Sequence, residues 1–558
     1  MKNTIKYFPL LAFIFLLFLK TPIAQTLPAG PQVLSIFSNV DDSEQPYALY
    51  IPKNYDPNKK YPFVMMLHGA GSNHRLALKR VFGKSNTNGE NDAEASRYFP
   101  PFRDVDYIVA APLARGTMGY TGIPEKDVMD VLADVQKRFN IDEDRMYLTG
   151  LSMGGGGTLW IGLSHPDLWA AIAPVCPAPP KGTMELAPNA LNFPLHFFHG
   201  DADPVVPIEG TRDWVKRFRE LGVNVESTEF PGVQHDSWVG AYKDAGIFDW
   251  FGQFKRHRFP DHVMYNTWDY RHGSAYWVRF DEMTPGTLAS IDAKFTSGNK
   301  LDISTKNLDA FSLLLKGHPN FKAGQALNIT LDGQEILCKG SDPVSLEKAG
   351  GKWEQVPYSP RTSGKRAGAE GPIKEAVVGQ HVFVYGTAGS PTEEELKARR
   401  DLVEKAAGWR QTKDFNGRSL LVFPRVISDR EVKESDLAEG SLILFGTRET
   451  NSIIARYADQ LPLELDDPSG EFGLIYIMPF KGHYLVVNSG KPYWGGFATE
   501  GLSSLYPVQL SAMDSLEDFK LFKGTSENVI VGGRFTNNWK LPKAASEKIA
   551  ASGVVKMK

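Results

Sequence analysis

Two cysteines in 558 residues are too few to staple a secreted scaffold together, so the fold must rest on packed apolar cores. Cys176 and Cys338 fall in segments assigned below to different domains, and no bridge between them is expected. Long basic runs are missing and the formal net charge is -3, which removes the electrostatic footprint of a nucleic-acid binder. His74, His165, His196 and His199 lack the spacing of a metal-ligand set such as His-x-x-x-His with a further ligand, so no metal is expected. The apolar stretch from Tyr7 to Leu19 is also short, at about a dozen residues against roughly 20 for a membrane span. Preceded by Lys2 and Lys6 and followed by Ala24, it has the pattern of a signal peptide over residues 1–24. An exported protein, secreted or periplasmic and without a stable membrane anchor, is predicted.

Against these absences stands Gly150-Leu151-Ser152-Met153-Gly154, directly after the strand-like run Arg145 to Thr149. A Gly-x-Ser-x-Gly segment between strand and helix is a nucleophile elbow, which holds a serine hydroxyl on a sharp turn. Such a serine needs a general base and a group to orient it, in the chain order Ser, Asp or Glu, His for α/β-hydrolases. Both follow. Leu195 to Gly200 reads as a buried strand with Asp201-Ala202-Asp203 at its C-terminal end, where ligands meet open parallel sheets. The next strand-like run, Val223 to Phe230, leads into a loop carrying His235, the candidate base. Asp201 and Asp203 compete for the orienting role, and spacing does not choose between them. Trp238, three residues beyond His235, is read as a packing aromatic or a pocket wall rather than a catalytic group.

From about Tyr47 to Phe254 the chain resembles the secreted esterases of the α/β-hydrolase superfamily, including polyhydroxybutyrate-depolymerase-like and feruloyl-esterase-like enzymes, with related patterns in prolyl-oligopeptidase-like serine peptidases. The residues that carry the resemblance are Leu67-His68-Gly69-Ala70-Gly71, Gly150 to Gly155, His199 to Pro207, and His235. It implies Asp203 as the acid and Asp201 as a turn residue. It also implies an oxyanion hole made by the backbone amides of Ala70 and Met153, with His68 shaping the loop rather than reacting.

The length exceeds one ordinary hydrophobic core. Residues 25–260 alternate strands and helices, with Phe63 to His68, Tyr107 to Ala111, Met146 to Thr149, Leu195 to His199 and Val225 to Phe230 read as buried strands. Val128, Val131, Leu132, Val135 and Phe139 mark an amphipathic helix. This predicts an α/β-hydrolase domain with a mainly parallel sheet. The stretches Gly83 to Asp104 and Pro177 to Pro194 interrupt the pattern and are candidates for a lid, a rim or plain surface connections. Short alternating strands and the hairpin signal Asp332-Gly333 predict a small β-sandwich over 261–352. Its aromatics Trp268, Tyr270, Tyr276 and Trp277 either stack on sugars or, the favoured reading, bury an interface with the hydrolase domain. A linker is expected over 353–372 and a C-terminal α/β domain over 373–558. There His381 to Thr387 and Ser441 to Thr447 echo each other as strand-Gly-Thr units, neither with a phosphate-binding loop.

The function so read is a serine carboxylesterase working through Ser152, His235 and Asp203 without a cofactor, on a small-molecule or polysaccharide-linked ester such as a feruloyl or acetyl ester of plant polysaccharide. A prolyl-oligopeptidase-like serine peptidase using the same triad is the second reading. A noncatalytic glycan-binding protein on a hydrolase fold is the third. No protein partner is indicated.

Overall fold

The computed structural model describes residues 27–410, 420–498 and 506–558. The expected signal peptide, residues 1–24, lies outside them. Among the described residues no helix is long and apolar enough to cross a membrane.

The first unit is an eight-stranded sheet built from β1 (Gly30–Ser38), β2 (Ser43–Ile51), β3 (Tyr61–Leu67), β4 (Ile108–Pro112), β5 (Ile141–Leu151), β6 (Ala171–Val175), β7 (Leu195–Gly200) and β8 (Val225–Phe230), in the order β1-β2-β4-β3-β5-β6-β7-β8. β1 and β2 pair antiparallel at one edge, and every pair from β4 to β8 is parallel. Strand alternation sends Phe63, Met65 and Leu67 into one core and Val64 and Met66 into another, so both faces of the sheet are buried. Helices α1 (His74–Val81), α2 (Asp92–Ala95), α3 (Ile123–Arg138), α4 (Met153–Ser164) and α5 (Ile208–Glu220) connect the strands. The amphipathic helix is α3, whose Val128, Val131, Leu132 and Val135 are buried, with Pro124 in its first turn where no N–H is needed. This is the α/β-hydrolase fold.

Four strands differ from their sequence reading. β1, β2 and β6 were not anticipated; β6 is buried throughout and carries Pro174 one residue from its end. β8 was read as buried, but as the edge strand it alternates half-buried and exposed residues.

Part of the stretch Pro177 to Pro194 docks a second unit. Its 3₁₀ segment Thr183–Asn192 is a docking platform. Asn189 donates to the Leu163 and Asn266 carbonyls at 2.8 and 2.9 Å and accepts from Asn266 N at 2.7 Å. Residue 266 belongs to a second unit of two five-stranded sheets. One holds His262–Thr267, Ala289–Ser297, Lys300–Lys306, Leu327–Leu331 and Gln334–Cys338; the other holds Ser274–Ala275, Val278–Met283, Leu308–Leu313, Val344–Ala349 and Lys352–Val356. They share one core containing Phe280, Phe295, Phe311 and Trp353. Trp277 lies in that core, and Tyr276 donates its hydroxyl to the Pro166 carbonyl across the interface at 3.0 Å, so these aromatics are structural rather than offered to a sugar.

The final sandwich strand includes Trp353, and the following segment is no free linker. Buried Lys365 pairs with Asp518 at 2.6 Å, and buried Glu370 accepts the backbone amides of Tyr270 and Arg271. A seven-stranded sheet follows. The strand-Gly-Thr units lie side by side and parallel, Tyr385 opposite Phe445, whereas Phe472–Phe480 and His483–Gly490 form an antiparallel hairpin.

One buried guanidinium ties this last unit to the first. Arg115 donates through Nε to Asp127 at 2.6 Å, through Nη1 to Asp41 at 2.7 Å and to the Leu421 carbonyl at 3.2 Å, and through Nη2 to Ser38 at 2.6 Å. Asp41 in turn accepts Phe423 N at 2.8 Å. Removing the guanidinium strands two buried carboxylates, a loss of about 3–5 kcal/mol. Arg115→Met should therefore lower the unfolding free energy by that amount in equilibrium denaturation; a loss below about 1 kcal/mol would show that Asp41 and Asp127 find other partners.

Candidate active site

β5 ends in Leu151 and α4 starts at Met153, so the whole reversal falls on Ser152. Its backbone sits at φ 55°, ψ -116°, a region L-residues rarely adopt and one that costs roughly 1–3 kcal/mol unless the surroundings enforce it. They do. A Cβ on Gly150 would stand 2.4 Å from the Gly154 carbonyl oxygen, and one on Gly154 would stand 2.3 Å from that of Leu67, so strand and helix approach only because both are glycine. Ser152 N donates to the Val175 carbonyl at 2.9 Å, and the Ser152 carbonyl accepts Gly156 N at 2.9 Å and Ala178 N at 3.1 Å.

The turn presents the Ser152 hydroxyl to the loops after β7 and β8. His235 Nε2 lies 3.0 Å from Ser152 Oγ, and His235 Nδ1 lies 2.7 Å from Asp203 Oδ2. The other carboxylate oxygen, Oδ1, accepts the amides of Val205 at 2.8 Å and Val206 at 3.0 Å. Burial pushes the Asp203 carboxyl up, but the bonds from His235 and from those two amides outweigh it and hold the group below its ordinary range. Asp201 does not reach His235. It is spent on the Gly232 amide at 2.6 Å, fixing the turn that carries His235. Geometry thus separates the two aspartates that spacing left equivalent.

A residue missed by the sequence reading is His199. Its Nε2 lies 3.2 Å from Asp203 Oδ2 and 2.9 Å from the Val206 carbonyl, while Nδ1 meets Thr211 Oγ1 at 2.8 Å. Burial keeps its pKa low, so a neutral ring buttresses the carboxylate; its place four residues before Asp203 was the available signal. Cys176 lies beneath the site, with Sγ 3.6 Å from the His235 carbonyl oxygen, its thiol pushed up to about 12 by burial and so a poor nucleophile or ligand. Trp238 stands edge-on to the His235 ring at 5.7 Å.

The Gly69 backbone lies against the elbow, where a Cβ would come within 2.8 Å of Leu151 and 3.5 Å of Ser152 Cβ. Ala70 follows it, exposed. Among the described residues neither the Ala70 nor the Met153 amide donates to another protein group, so both remain available to an oxyanion. Behind them the loop is braced: Gly71 N donates to Thr117 Oγ1 at 2.9 Å, and His68 sets its ring nitrogens 2.8 Å from the Gly69 and Leu113 carbonyl oxygens. His68 is structural. A hydroxyl, an imidazole and a carboxylate in line, beside two open amides, can carry out nucleophilic acyl transfer.

Residues 38–184 match the family model described as "Putative esterase", and residues 126–248 match one described as "Phospholipase/Carboxylesterase". The chain is 26% identical over 181 residues to a bifunctional acetylxylan esterase/xylanase of Neocallimastix patriciarum, a match spanning 31% of this chain and 23% of that protein. It is 24% identical over 195 residues to "Probable feruloyl esterase C" of Aspergillus niger, spanning 34% of this chain and 67% of that protein. Among solved structures, a thermostable esterase is 27% identical with a TM-score of 0.33, covering 40% of this chain and 63% of its own.

The depressed Asp203 carboxyl carries a pH signature. Its stabilising contribution is fully present above the unfolded value of about 3.9 and is lost as the pH falls through the lower folded value. The stability gap between wild type and Asp203→Asn should hold from pH 7 to about 4 and narrow only below that. Chemical denaturation across this range checks it, and a gap already closing at pH 6 would contradict it.

Proposed function

We propose that this chain, whose first domain is an α/β-hydrolase domain of esterase type, hydrolyses carboxylic esters with Ser152 as nucleophile, His235 as general acid–base and Asp203 as its orienting carboxylate. The observation that carries the reading is the unbroken relay from Ser152 Oγ to His235 Nε2 at 3.0 Å and from His235 Nδ1 to Asp203 Oδ2 at 2.7 Å.

Ser152 Oγ attacks the ester carbonyl carbon as its proton passes to His235 Nε2. The carbonyl oxygen becomes an oxyanion that accepts from the Ala70 and Met153 amides, each worth on the order of 3 kcal/mol in the transition state. Asp203, ionised and fixed by Val205 and Val206, stabilises the imidazolium without taking its proton. The intermediate collapses, the alcohol leaves with the proton from His235, and an acyl-Ser152 ester remains. Water, deprotonated by His235, then attacks the acyl carbon and frees the acid.

Feruloyl and acetyl esters of plant polysaccharide are the substrates we propose, because the similar proteins carry those activities in their names. The protein acts after export, in the periplasm or outside the cell.

Ser152→Ala should abolish ester turnover while leaving the circular dichroism spectrum unchanged. His235→Ala should cost on the order of a million-fold, and the double variant little more, since triad members act as a unit. Additive losses would contradict the relay. Asp203→Asn should damage kcat far more than Asp201→Asn, and the reverse order would move the acid to Asp201. On a panel of feruloyl, acetyl and short-chain esters with matched proline-containing peptide amides, only the esters should turn over. Amide cleavage would establish a peptidase instead.

A further inference from the structure

Outside the acyl-transfer site, three potential metal ligands from distant parts of the chain converge at the junction of the first two domains. Glu125 comes from the first turn of α3, His165 follows the end of α4, and His272 lies in the 3₁₀ turn Tyr270–His272 of the sandwich. Both histidines turn Nε2 to the same carboxylate oxygen: Glu125 Oε1 is 2.6 Å from His272 Nε2 and 3.2 Å from His165 Nε2. The three ligand atoms all lie within 4.8 Å of one another. The other oxygen, Oε2, accepts Trp160 Nε1–H at 2.8 Å, which fixes the carboxylate plane and leaves Oε1 for the imidazoles.

A tetrahedral zinc with bonds of about 2.0–2.1 Å holds its ligand atoms about 3.3 Å apart. The Glu125–His165 separation already has that value, and the Glu125–His272 pair must open by roughly 0.7 Å, a rotation of one ring about its χ angles. Two imidazole nitrogens and one carboxylate oxygen are a donor set suited to zinc. His272 Nδ1 faces Asp269 Oδ2 at 3.9 Å, beyond hydrogen-bond reach.

Asp269, Glu370 and Glu375 are also buried around the cluster, with Arg271 bound to Glu375 at 3.3 Å and half-buried Lys374 beside it; burial pushes the Glu370 and Glu375 carboxyls up, towards the neutral form. The His165 side chain is 22% exposed, which opens the cluster to solvent at that residue.

We propose that Glu125, His165 and His272 form a zinc site that clamps the hydrolase domain to the sandwich. The expectation of no metal rested on spacing along the chain. These ligands stand 40 and 147 residues apart, so no local motif could reveal them.

The test uses the full chain, stripped with EDTA and reloaded with zinc, then with cobalt. Wild type should take up one zinc per chain by mass spectrometry of the metal, melt several degrees higher than the stripped protein, and show the visible absorption of tetrahedral cobalt. His165→Ala, at a partly exposed position that tolerates truncation, and near-isosteric Glu125→Gln should each weaken zinc by more than about 100-fold, the upper end for loss of a supporting partner alone. Cys176→Ala should bind zinc like wild type, which separates this site from the thiol under His235. Substoichiometric zinc in the wild type, or uptake equal to wild type in both ligand variants, would overturn the proposal.

Discussion

The backbone of Ser152 is the constraint on which the site depends. At φ 55° the chain leaves β5 and enters α4 within one residue, and the hydroxyl is pushed above the carboxyl edge of the sheet instead of lying along it. Relaxation of that turn would take Oγ out of reach of His235 and carry Met153 N away from the place where an oxyanion forms. The strain is held by backbone contacts that tolerate only glycine at 150 and 154, and by the Ser152 amide bonded to β6. Packing thus fixes the proposed nucleophile before any substrate arrives, so that little reorganisation would be left for the reaction itself.

The rest of the chain holds this arrangement from outside. Arg115 joins β1, α3 and the segment Leu421–Phe423 of the last unit, and it belongs to the loop whose Leu113 and Thr117 brace His68 and Gly71. The C-terminal unit therefore supports the loop that carries Ala70. On the opposite flank the sandwich docks through Asn189 and Tyr276 onto the segments that follow β6 and α4.

What was legible in the sequence was local. The elbow and the order of serine, acid and histidine each occupy a few consecutive residues whose types are set by backbone geometry or proton chemistry, so the contact between Ser152 and His235 could be anticipated, while Ala70 and Met153 are the proposed oxyanion donors. Asp201 and Asp203 could not be told apart, because the choice depends on where the loop after β8 passes: Gly232 claims one carboxylate and His235 the other. β1, β2 and β6 were not read as strands, and β8 was read as buried although Glu226, Ser227 and Glu229 give it the polar, exposed positions of an edge strand. The segment from 353 to 372 resembled a linker by composition, yet Lys365 and Glu370 find partners more than 90 residues away in sequence. The Glu125–His165–His272 group was invisible for the same reason, since its meaning lies in tertiary contacts.

The central claim is that Ser152, activated by His235, is the nucleophile of this chain. The most direct measurement is intact-mass and peptide-mapping analysis after reaction with an organophosphonate ester, which traps an activated serine covalently. The account expects a single adduct on the peptide containing Ser152, slowed strongly in His235→Ala and prevented by saturating ester substrate. An adduct on another serine, or stoichiometric labelling that persists in Ser152→Ala, would contradict it.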